Sequence, residues 1–400
     1  MPLPTPFYSR VSALCESHEW RNWAGYLAAG LYEPSHEREY FAIRNSAALI
    51  DVSPLFKYEI TGPDALRLVD RIMTRDVTRC RVGQALYSPW CDEEGKMIDD
   101  GTVARLDEMH FRITAADPSL RWFQDVGYGM NVQVADVTQD LAALALQGPN
   151  SRAILKEVVR GIDFDGLRYF RLAHGEVDGL PLIVTRTGYT GDLGYELWVR
   201  PEFAEQLWDV LMARGAAYGL LPAGLVALDI ARIEAGLLLI EVDYISAHKA
   251  LIESQKSSPY EVGLGWAVAL SGVDFIGRKA LLAERKRPPE WHFVGIQVDW
   301  LDLERLYGKV GLPPQVAGRA SRITVPIYRD LRQIGQVTSH TFSPILKKLI
   351  GIGTVMDGYA AVGTPVEMEI TIEHSRLQTR QRVKATVVRT PFFDPERKRA

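Results

Sequence analysis

A change of pattern near residue 288 of the 400-residue chain constrains the fold most strongly. Before that point, strand-like apolar stretches are mixed with stretches that have helical spacing, which is typical of α+β structure. After it, strand-like stretches follow one another with no long helix between them. They are residues 293–298, 323–328, 334–338, 351–355, 366–372 and 380–388. We therefore predict a separate C-terminal all-β domain over residues 286–400.

The α+β region contains two similar cycles of strand, turn, helix and further strands. The turns into the two helices are alike, Gly62-Pro-Asp64 and Gly148-Pro-Asn150, and both carry residues that favour turns and helix starts. This similarity, and a length that suits two or three domains, predicts two related α+β domains over 51–140 and 141–285. Residues 1–50 are expected to form an ordered segment that packs with the second α+β unit.

Composition and charge exclude several classes of protein. A net charge of −4 and a pI near 6.1 argue against a nucleic-acid binder that works by bulk charge. No apolar run reaches the roughly 18 residues of a membrane helix, and the N-terminus does not resemble a secretory signal. The cysteines Cys15, Cys80 and Cys91 form no CxxC pair, which favours a reducing compartment. We expect a cytoplasmic protein that binds neither nucleic acid nor membrane.

Several familiar catalytic and ligand-binding motifs are missing from the sequence. There is no GxGxxG or GxxxxGK[ST] loop for nucleotide phosphates and no G-x-S-x-G nucleophile elbow. The eight histidines are scattered, and only Cys15 and His18 lie within ligand spacing of each other. We therefore expect no metal site.

An acidic strand is the first candidate for chemistry. It reads Glu94-Gly-Lys-Met-Ile-Asp-Asp-Gly101-Thr-Val. Because successive side chains of a strand point to opposite faces, Asp99 and Asp100 are not expected to share a proton. Asp100 lies on the face of Ile98 and Thr102, where a carboxylate needs a partner. It can act as an electrostatic group in a cleft or cap a turn, and spacing alone favours the cap.

A glycine-rich segment is the second candidate. It runs Thr187-Gly-Tyr-Thr-Gly-Asp-Leu-Gly-Tyr-Glu196, and three glycines in seven residues indicate a tight bend or a close approach to a ligand. Such a bend can present Tyr189 as a stacking surface and Glu196 as a carboxylate that accepts paired N–H donors of a heterocycle. The alternative is a β-hairpin with a solvent-facing Glu196, and the pattern does not separate the two.

Two further segments carry weaker signals. Ala227-Leu-Asp-Ile-Ala-Arg-Ile-Glu-Ala-Gly236 is typical of a helix that ends at its glycine, and Arg232 and Glu234 do not face each other there. Pro259-Tyr-Glu-Val-Gly-Leu-Gly-Trp266 places glycines beside an aromatic residue. A structural helix, and a tight turn with a core tryptophan, are the interpretations that these patterns favour on their own.

Taken together, these segments resemble the aminomethyltransferase (glycine-cleavage T-protein) superfamily, which includes tetrahydrofolate-dependent demethylases. The most specific match is Gly188-Tyr-Thr-Gly-x-x-Gly-Tyr-Glu196. The others, in order, are Ile50-Asp-Val-Ser53, Met97-Ile-Asp-Asp100, Ala145-Leu-Gln-Gly-Pro149, Arg232-Ile-Glu-Ala-Gly236, Gly263-Leu-Gly-Trp266, Asp274-Phe-Ile-Gly-Arg278 and Ile334-Gly-x-Val-Thr-Ser339 with Ser343-Pro-x-Leu-Lys-Lys348. Each is weak alone, but their order along nearly the whole chain is not a chance pattern.

The resemblance implies a fold and a set of site residues. The fold is α+β, with three domains around a central cavity that holds tetrahydrofolate, the last being a β-barrel or jelly-roll. Asp100 matches the position of the family's catalytic aspartate, and Glu196 matches the carboxylate that holds the pterin. Tyr189, Trp266 and Tyr87 match cofactor-binding positions that line the cavity.

One departure from the family pattern concerns the one-carbon donor. T-proteins of glycine cleavage carry an Arg-Asp pair shortly before the arginine that corresponds to Arg232. In this chain the pair is Leu228-Asp229, so leucine replaces the first arginine. Residues 244–258 look like an insertion. The segment 68–76, with Asp92-Glu-Glu-Gly95, is similar to the demethylase branch. Because leucine cannot replace a guanidinium, the resemblance favours a small methyl donor, with Leu228 lining the donor side.

Two other functions stay open at this stage. One is a true T-protein, which takes an aminomethyl group from a lipoyl carrier protein. The other is a non-catalytic folate-binding module, although the Lys-Gly-Cys-Tyr-x-Gly-Gln signature of such members is absent.

Overall fold

Four β-sheets organise the part of the chain that the structure describes, which comprises residues 1–272, 274–374 and 377–400 of a computed structural model. Helices pack against the larger sheets, and the last sheet closes into a barrel. The α+β fold class with a C-terminal barrel is therefore confirmed. None of the described helices is long and apolar enough to cross a membrane.

The N-terminal segment forms a small sheet and then enters a larger one. Its elements are β1 (Leu3–Pro4), α1 (Tyr8–Leu14), β2 (Trp20–Trp23), β3 (Tyr26–Ala29), α2 (Glu37–Asn45) and β4 (Ala47–Asp51). The first three strands pair in the order β1-β3-β2. Phe7 and Val11, at and just after the start of α1, are buried in the same apolar cluster as Leu207 and Trp208.

A five-stranded antiparallel sheet follows, with two helices. Its elements are β5 (Phe56–Thr61), α3 (Ala65–Ile72), β6 (Gln84–Cys91), β7 (Met97–Asp107), β8 (His110–Ala115), α4 (Leu120–Val126) and β9 (Gln133–Asp136). The strands pair in the order β6-β7-β8-β5-β9. α3 buries Leu68, Val69 and Ile72, the apolar face that its helical spacing predicts. The acidic strand β7 thus lies between β6 and β8.

The next sheet has six strands and includes β4. Its further elements are β10 (Ala142–Gln147), α5 (Ser151–Val158), β11 (Leu172–Val177), β12 (Leu180–Thr185), β13 (Gly194–Val199), α6 (Ala204–Gly215), β14 (Leu220–Pro222) and α7 (Leu225–Glu234). The strand order is β11-β12-β13-β10-β4-β14. All six residues of β10 are buried, because both faces of this central strand are covered.

The C-terminal region closes into a six-stranded barrel. Its elements are α8 (Arg278–Glu284), β15 (Trp291–Val298), α9 (Trp300–Gly308), β16 (Val325–Arg329), β17 (Arg332–Ser343), β18 (Lys348–Met356), β19 (Pro365–His374) and β20 (Leu377–Val388). The order is β15-β18-β17-β16-β19-β20, and β20 pairs again with β15.

The helix α9 interrupts this strand-rich region and was not predicted from the sequence. The Asp299 carboxylate caps it by accepting the backbone N–H of Asp302 at 3.1 Å. Leu303, Leu306 and Tyr307 then pack into the barrel's apolar cluster. The domain bounds at residues 51, 141 and 286 remain predictions, and we propose them as working limits.

Candidate active site

Two tyrosine hydroxyls hold Asp100 near the start of β7. Tyr87, on the neighbouring strand β6, donates to Asp100 Oδ2 at 2.6 Å. Tyr244, which precedes α8 in the chain, donates to Asp100 Oδ1. Burial raises the pKa of Asp100, and the two hydrogen bonds oppose that rise. Burial also raises the pKa of both tyrosines well above 10, so their hydroxyls remain donors at neutral pH.

Asp99 is closer to this centre than strand alternation predicted. Its carboxylate accepts the backbone N–H of Asp100 at 2.7 Å and that of Asp117 at 3.0 Å. The Tyr244 hydroxyl lies 3.4 Å from Asp99 Oδ1 while it donates to Asp100. Burial, and then the charge of Asp100, raise the pKa of Asp99 well above its usual range. The carboxylates thus meet at one hydroxyl, although no hydrogen bond joins them directly within the described residues.

An exposed tryptophan lies beside this acidic centre. The ring of Trp266 stacks on Tyr87 with 6.1 Å between the centroids, and 64% of Trp266 is exposed. The guanidinium of Arg75 lies 5.5 Å from the centre of the Trp266 ring. The interpretation of Trp266 as a core residue is therefore wrong. An exposed aromatic face beside a buried acid is instead suited to contact a flat ligand.

The glycine-rich segment is a tight loop built around Gln147. A Cβ added at Gly188 or Gly194 would come within 2.3 Å of the Gln147 side chain, which fills the bend. The amide of Gln147 accepts the Thr190 hydroxyl at 2.8 Å. This packing leaves Tyr189 partly exposed, with its hydroxyl donating to the carbonyl of Leu238. The structure thus brings Tyr189 to the side of α7.

Glu196 faces a narrow cavity between the five-stranded sheet that contains β7 and the six-stranded sheet that contains β13. Ala85 and Thr102 line the cavity from one sheet, and Thr185 and Glu196 from the other. The Glu196 carboxylate accepts one hydrogen bond, from the hydroxyl of Thr187. Among the described residues it has no ion pair, and burial raises its pKa. Thr102, which lines this cavity, lies two residues beyond Asp100 on the same face of β7.

Leu228 lies on the buried helix α7. It is 8% exposed and belongs to an apolar cluster that Tyr189 also contacts. The next residue, Asp229, accepts from Arg232 Nε and from Arg322 Nε, each at 2.8 Å. The side chain at position 228 is therefore apolar, while a guanidinium from the C-terminal region reaches its neighbour.

Tyr244 is the residue of this site that sequence reasoning missed. It stands at the start of the segment interpreted as an insertion, directly after Asp243. Asp243 accepts from Arg232 at 2.5 Å and from the hydroxyls of Thr338 and Ser339, both at 2.6 Å. This network fixes the backbone that carries Tyr244. No local sequence pattern marks Tyr244 as a partner of Asp100, because the two residues lie 144 positions apart in the chain.

Comparison with known proteins agrees with this architecture. The model of the GCVT N-terminal domain matches residues 12–272, and that of the glycine cleavage T-protein C-terminal barrel domain matches 310–394. A crystal structure of the glycine cleavage system aminomethyltransferase T from Bartonella henselae superposes with a TM-score of 0.81 over 98% of this chain and 99% of that one. At 23% identity, that superposition shows the shared fold.

Two curated relatives are similar in sequence. An aminomethyltransferase of Desulforamulus reducens is 33% identical over 364 residues, which is 90% of each chain. A trimethylamine-oxide aldolase of Ruegeria pomeroyi is 35% identical over the whole of this chain, which spans about half (48%) of that relative's length. These matches confirm the predicted relationship and the assignment to an enzyme family. The chain belongs to the aminomethyltransferase (glycine cleavage T-protein) family.

Proposed function

We propose that this protein is a tetrahydrofolate-dependent enzyme that transfers a one-carbon group from a small donor to N5 of the folate. The observation that most supports this proposal is the set of partners that the Asp100 carboxylate has. Its carboxylate is fixed by two hydroxyls and, within the described residues, has no Lys or Arg partner. Its charge is therefore available to a cationic centre that forms during a reaction.

The chemistry of the residues present suits a reduced folate. Glu196 keeps unused acceptor capacity in the cavity, which suits the paired N–H donors of a pterin. Tyr189, and the stacked pair Tyr87 and Trp266, offer aromatic surfaces on which flat rings can lie. We propose Glu196, Tyr189, Tyr87 and Trp266 as the folate-binding residues.

Asp100 is proposed as the catalytic carboxylate. Bound tetrahydrofolate supplies N5 as the nucleophile that accepts the one-carbon group. Asp100 would stabilise the positive charge that develops on that nitrogen, and the burial of its carboxylate would make this effect stronger than it is in water. Tyr87 and Tyr244 keep the carboxylate in place, so little reorganisation is required when the charge forms.

The donor is proposed to be a small methylated molecule. Leu228 lies in an apolar cluster that Tyr189 also contacts, where the family pattern has a guanidinium, and we propose that it gives the donor side an apolar wall that suits methyl groups. The similarity to a trimethylamine-oxide aldolase supports a methylated amine as the donor class. The alternative donor is an aminomethyl group on a lipoyl carrier protein, which the similarity to aminomethyltransferases supports.

The setting proposed for this reaction is the cytoplasm. Cys15, Cys80 and Cys91 are buried, unpaired thiols, which supports a reducing compartment.

The experiment that tests the proposal is a product assay with purified protein. The protein is incubated with tetrahydrofolate and, in separate arms, trimethylamine oxide, a methylated sulfur compound, a methyl ether or aminomethyl-lipoyl carrier protein. Folate products are separated by chromatography and identified by mass. We expect 5-methyltetrahydrofolate from one of the small donors. Formation of 5,10-methylenetetrahydrofolate from the carrier alone would favour the T-protein alternative, and folate binding without any product would favour a non-catalytic module.

A further inference from the structure

A short segment that follows the barrel, residues 391–398, runs against the glycine-rich loop. Its first part is attached to the end of α7, because the backbone N–H groups of Phe392 and Phe393 both donate to the carbonyl of Glu234 at 2.9 Å. A Cβ added at Gly191 of the loop would lie 3.9 Å from the carbonyl oxygen of Phe393, so the two segments pass close to each other. We call residues 391–398 the strap.

Arg397 joins the strap to the loop by a two-pronged ion pair. Its Nε donates to Asp192 Oδ1 at 2.7 Å, and its Nη2 donates to Asp192 Oδ2 at 2.8 Å. The same Nη2 donates to the carbonyl of Arg44 in α2 at 3.0 Å. A planar guanidinium that meets both oxygens of a carboxylate fixes the orientation of that carboxylate as well as neutralising its charge. The strap therefore holds the loop at Asp192.

Arg397 also balances a buried cluster of charges at the loop. The side chains of Arg44, Asp192 and Glu234 are each 0% exposed, and Arg44 lies 3.4 Å from the Asp192 carboxylate and 2.6 Å from that of Glu234. One buried cation thus faces two buried carboxylates. Among the described residues, Arg397 is the one further cation that pairs with either of them. Because a buried carboxylate without sufficient positive charge is unfavourable, the loop is stable in this position only with the strap in place.

The anchored part of the loop lies between the two side chains that are proposed to hold the folate. Tyr189 precedes it and Glu196 follows it. Between them, the Thr190 hydroxyl donates to Gln147 at 2.8 Å, which fixes the bend. Asp100 lies on a strand of another sheet and, within the described residues, shares no hydrogen bond with the strap. A change in the strap should therefore act on binding and leave the catalytic carboxylate in place.

We propose that the strap sets the affinity for folate, and that Arg397 is a positioning residue that acts through Asp192 on Tyr189 and Glu196. This inference rests on the proposed function, because it takes those two side chains as folate contacts. With Arg397 paired, the loop is ordered before the ligand arrives. Without that pair, part of the binding free energy is used to order the loop, and the observed affinity falls.

The test measures tetrahydrofolate binding and steady-state kinetics for Arg397→Gln in the full-length protein. Glutamine cannot neutralise Asp192 or donate to both of its oxygens. We expect binding to weaken about tenfold by calorimetry, with a similar rise in KM for folate and an unchanged kcat at saturating folate. Arg397→Lys restores the charge but not the two-pronged geometry, and it should recover part of the affinity.

The control is Arg399→Gln, in the residue just beyond the strap. Arg399 is 54% exposed and, among the described residues, pairs with Asp394 and not with the loop. This variant should keep the affinity and the KM of the unmodified protein, which separates the contact at Asp192 from a general loss of positive charge in this part of the chain.

Hydrogen exchange in the protein without folate reports the loop directly. In Arg397→Gln we expect faster exchange of the backbone amides of residues 188–196 and unchanged exchange in β7. Unaltered folate affinity of Arg397→Gln would overturn the inference while leaving the proposed function intact. So would faster exchange that extends through β7, or a fall in kcat without a rise in KM. Failure of tetrahydrofolate to bind the unmodified protein would overturn the proposed function, and this inference with it.

Discussion

Opposing effects of burial and hydrogen bonding act on the carboxylate of Asp100. Burial favours its protonated form, while the hydroxyls of Tyr87 and Tyr244 stabilise its anion. The pKa nevertheless stays above its ordinary value, so acid inactivates this residue at a higher pH than it would a solvent-exposed aspartate. The proposed catalytic role of Asp100 therefore predicts that activity is lost in acid as this carboxylate becomes protonated.

Removing the hydroxyl of Tyr87 or of Tyr244 should shift the acidic side of the pH–activity profile. Tyr87→Phe and Tyr244→Phe each remove a hydrogen bond that lowers the pKa of Asp100, so the pKa rises further. We expect the acid limb of kcat/KM to shift to higher pH in both variants, measured over a pH series. Tyr128→Phe, at a side chain that is 92% exposed, is the matched control and should leave the profile in place. Unshifted profiles in both variants would show that Asp100 does not control the acid limb.

Variants of Asp100 and Glu196 should have different effects, the first on turnover and the second on folate binding. Asp100→Asn keeps the shape of the side chain but removes its charge, and we expect turnover to fall by roughly 10²-fold or more. Folate affinity should stay within about tenfold, or 1.4 kcal/mol. Glu196→Ala should instead mainly weaken folate binding. Steady-state kinetics and calorimetry check both variants, and full activity of Asp100→Asn would remove that residue from the mechanism.

At this scale, the sequence could predict some residues and not others. Asp100, Glu196 and Tyr189 lie in short segments whose pattern is specific. Tyr244 lies 144 residues from Asp100, and nothing near it in the sequence marks it as a hydrogen-bond donor. Long-range partners of this kind depend on how separate elements pack, which local patterns do not encode.

The glycine-rich loop shows how an element is fixed by what it packs against. Gly191 has a φ of +73°, and a Cβ there would lie 2.4 Å from the Cβ of Ala235, just after α7. Arg44 of α2 crosses behind the loop and donates to the Thr190 carbonyl at 2.9 Å and to Glu234 at 2.6 Å. The loop is therefore held between two helices, and its shape determines where Tyr189 and Glu196 lie.

Gly191→Ala should accordingly destabilise the protein more than backbone strain alone can. Strain at positive φ costs about 1 kcal/mol, and the clash with Ala235 adds roughly 1–3 kcal/mol. Gly179→Ala is the control, since Gly179 has a φ of +81° with no other heavy atom within 4 Å of the added Cβ. Urea denaturation measures both variants. Equal losses of stability would show that the close approach to Ala235 is relieved by small movements of the loop.

Elements with a clear apolar period were predictable, and α3 is an example. Its apolar residues at helical spacing place Leu68, Val69 and Ile72 on one face, and the structure buries that face. By contrast, α9 was missed because nine residues between strand patterns give little periodicity. Its capping residue, Asp299, was the available signal, and it is common in turns as well.

In the whole molecule, one buried network joins the barrel to the segment that carries Tyr244. Arg232 of α7 contacts Asp229, Asp243 and the Ser339 hydroxyl of β17. Asp243 directly precedes Tyr244, so the hydrogen bonds that anchor Asp243 also position Tyr244. The barrel therefore contributes to the position of a hydroxyl that donates to Asp100, although no barrel residue in the described part of the chain hydrogen-bonds to Asp100 itself.

Asp243→Asn should weaken both stability and catalysis. It leaves a buried guanidinium with one fewer carboxylate, which costs about 3 kcal/mol because Asp229 still pairs with it. Activity should also fall in the folded fraction, since Tyr244 loses its support. Asp330→Asn, at a side chain that is 90% exposed, is the control and should change neither property. Denaturation curves and steady-state kinetics on the same samples measure both effects. Normal activity of Asp243→Asn would show that the network does not influence the proposed site.

The order of the domains was predictable from the chain, whereas their packing was not. The shift to strands near residue 288 indicated a separate C-terminal fold, and the barrel confirms it. That this barrel presses Thr338 and Ser339 against Asp243 follows from contacts about 95 residues apart. Only the resemblance to a family, not local physics, indicated a shared central cavity.

The proposed folate site is tested most directly by a crystal structure of the protein soaked with tetrahydrofolate. We expect electron density for the pterin against the Glu196 carboxylate, with the ring nitrogen that accepts the one-carbon group near Asp100 and the rest of the molecule passing Trp266. Density elsewhere on the protein, or a cavity that stays closed at saturating folate, would contradict it.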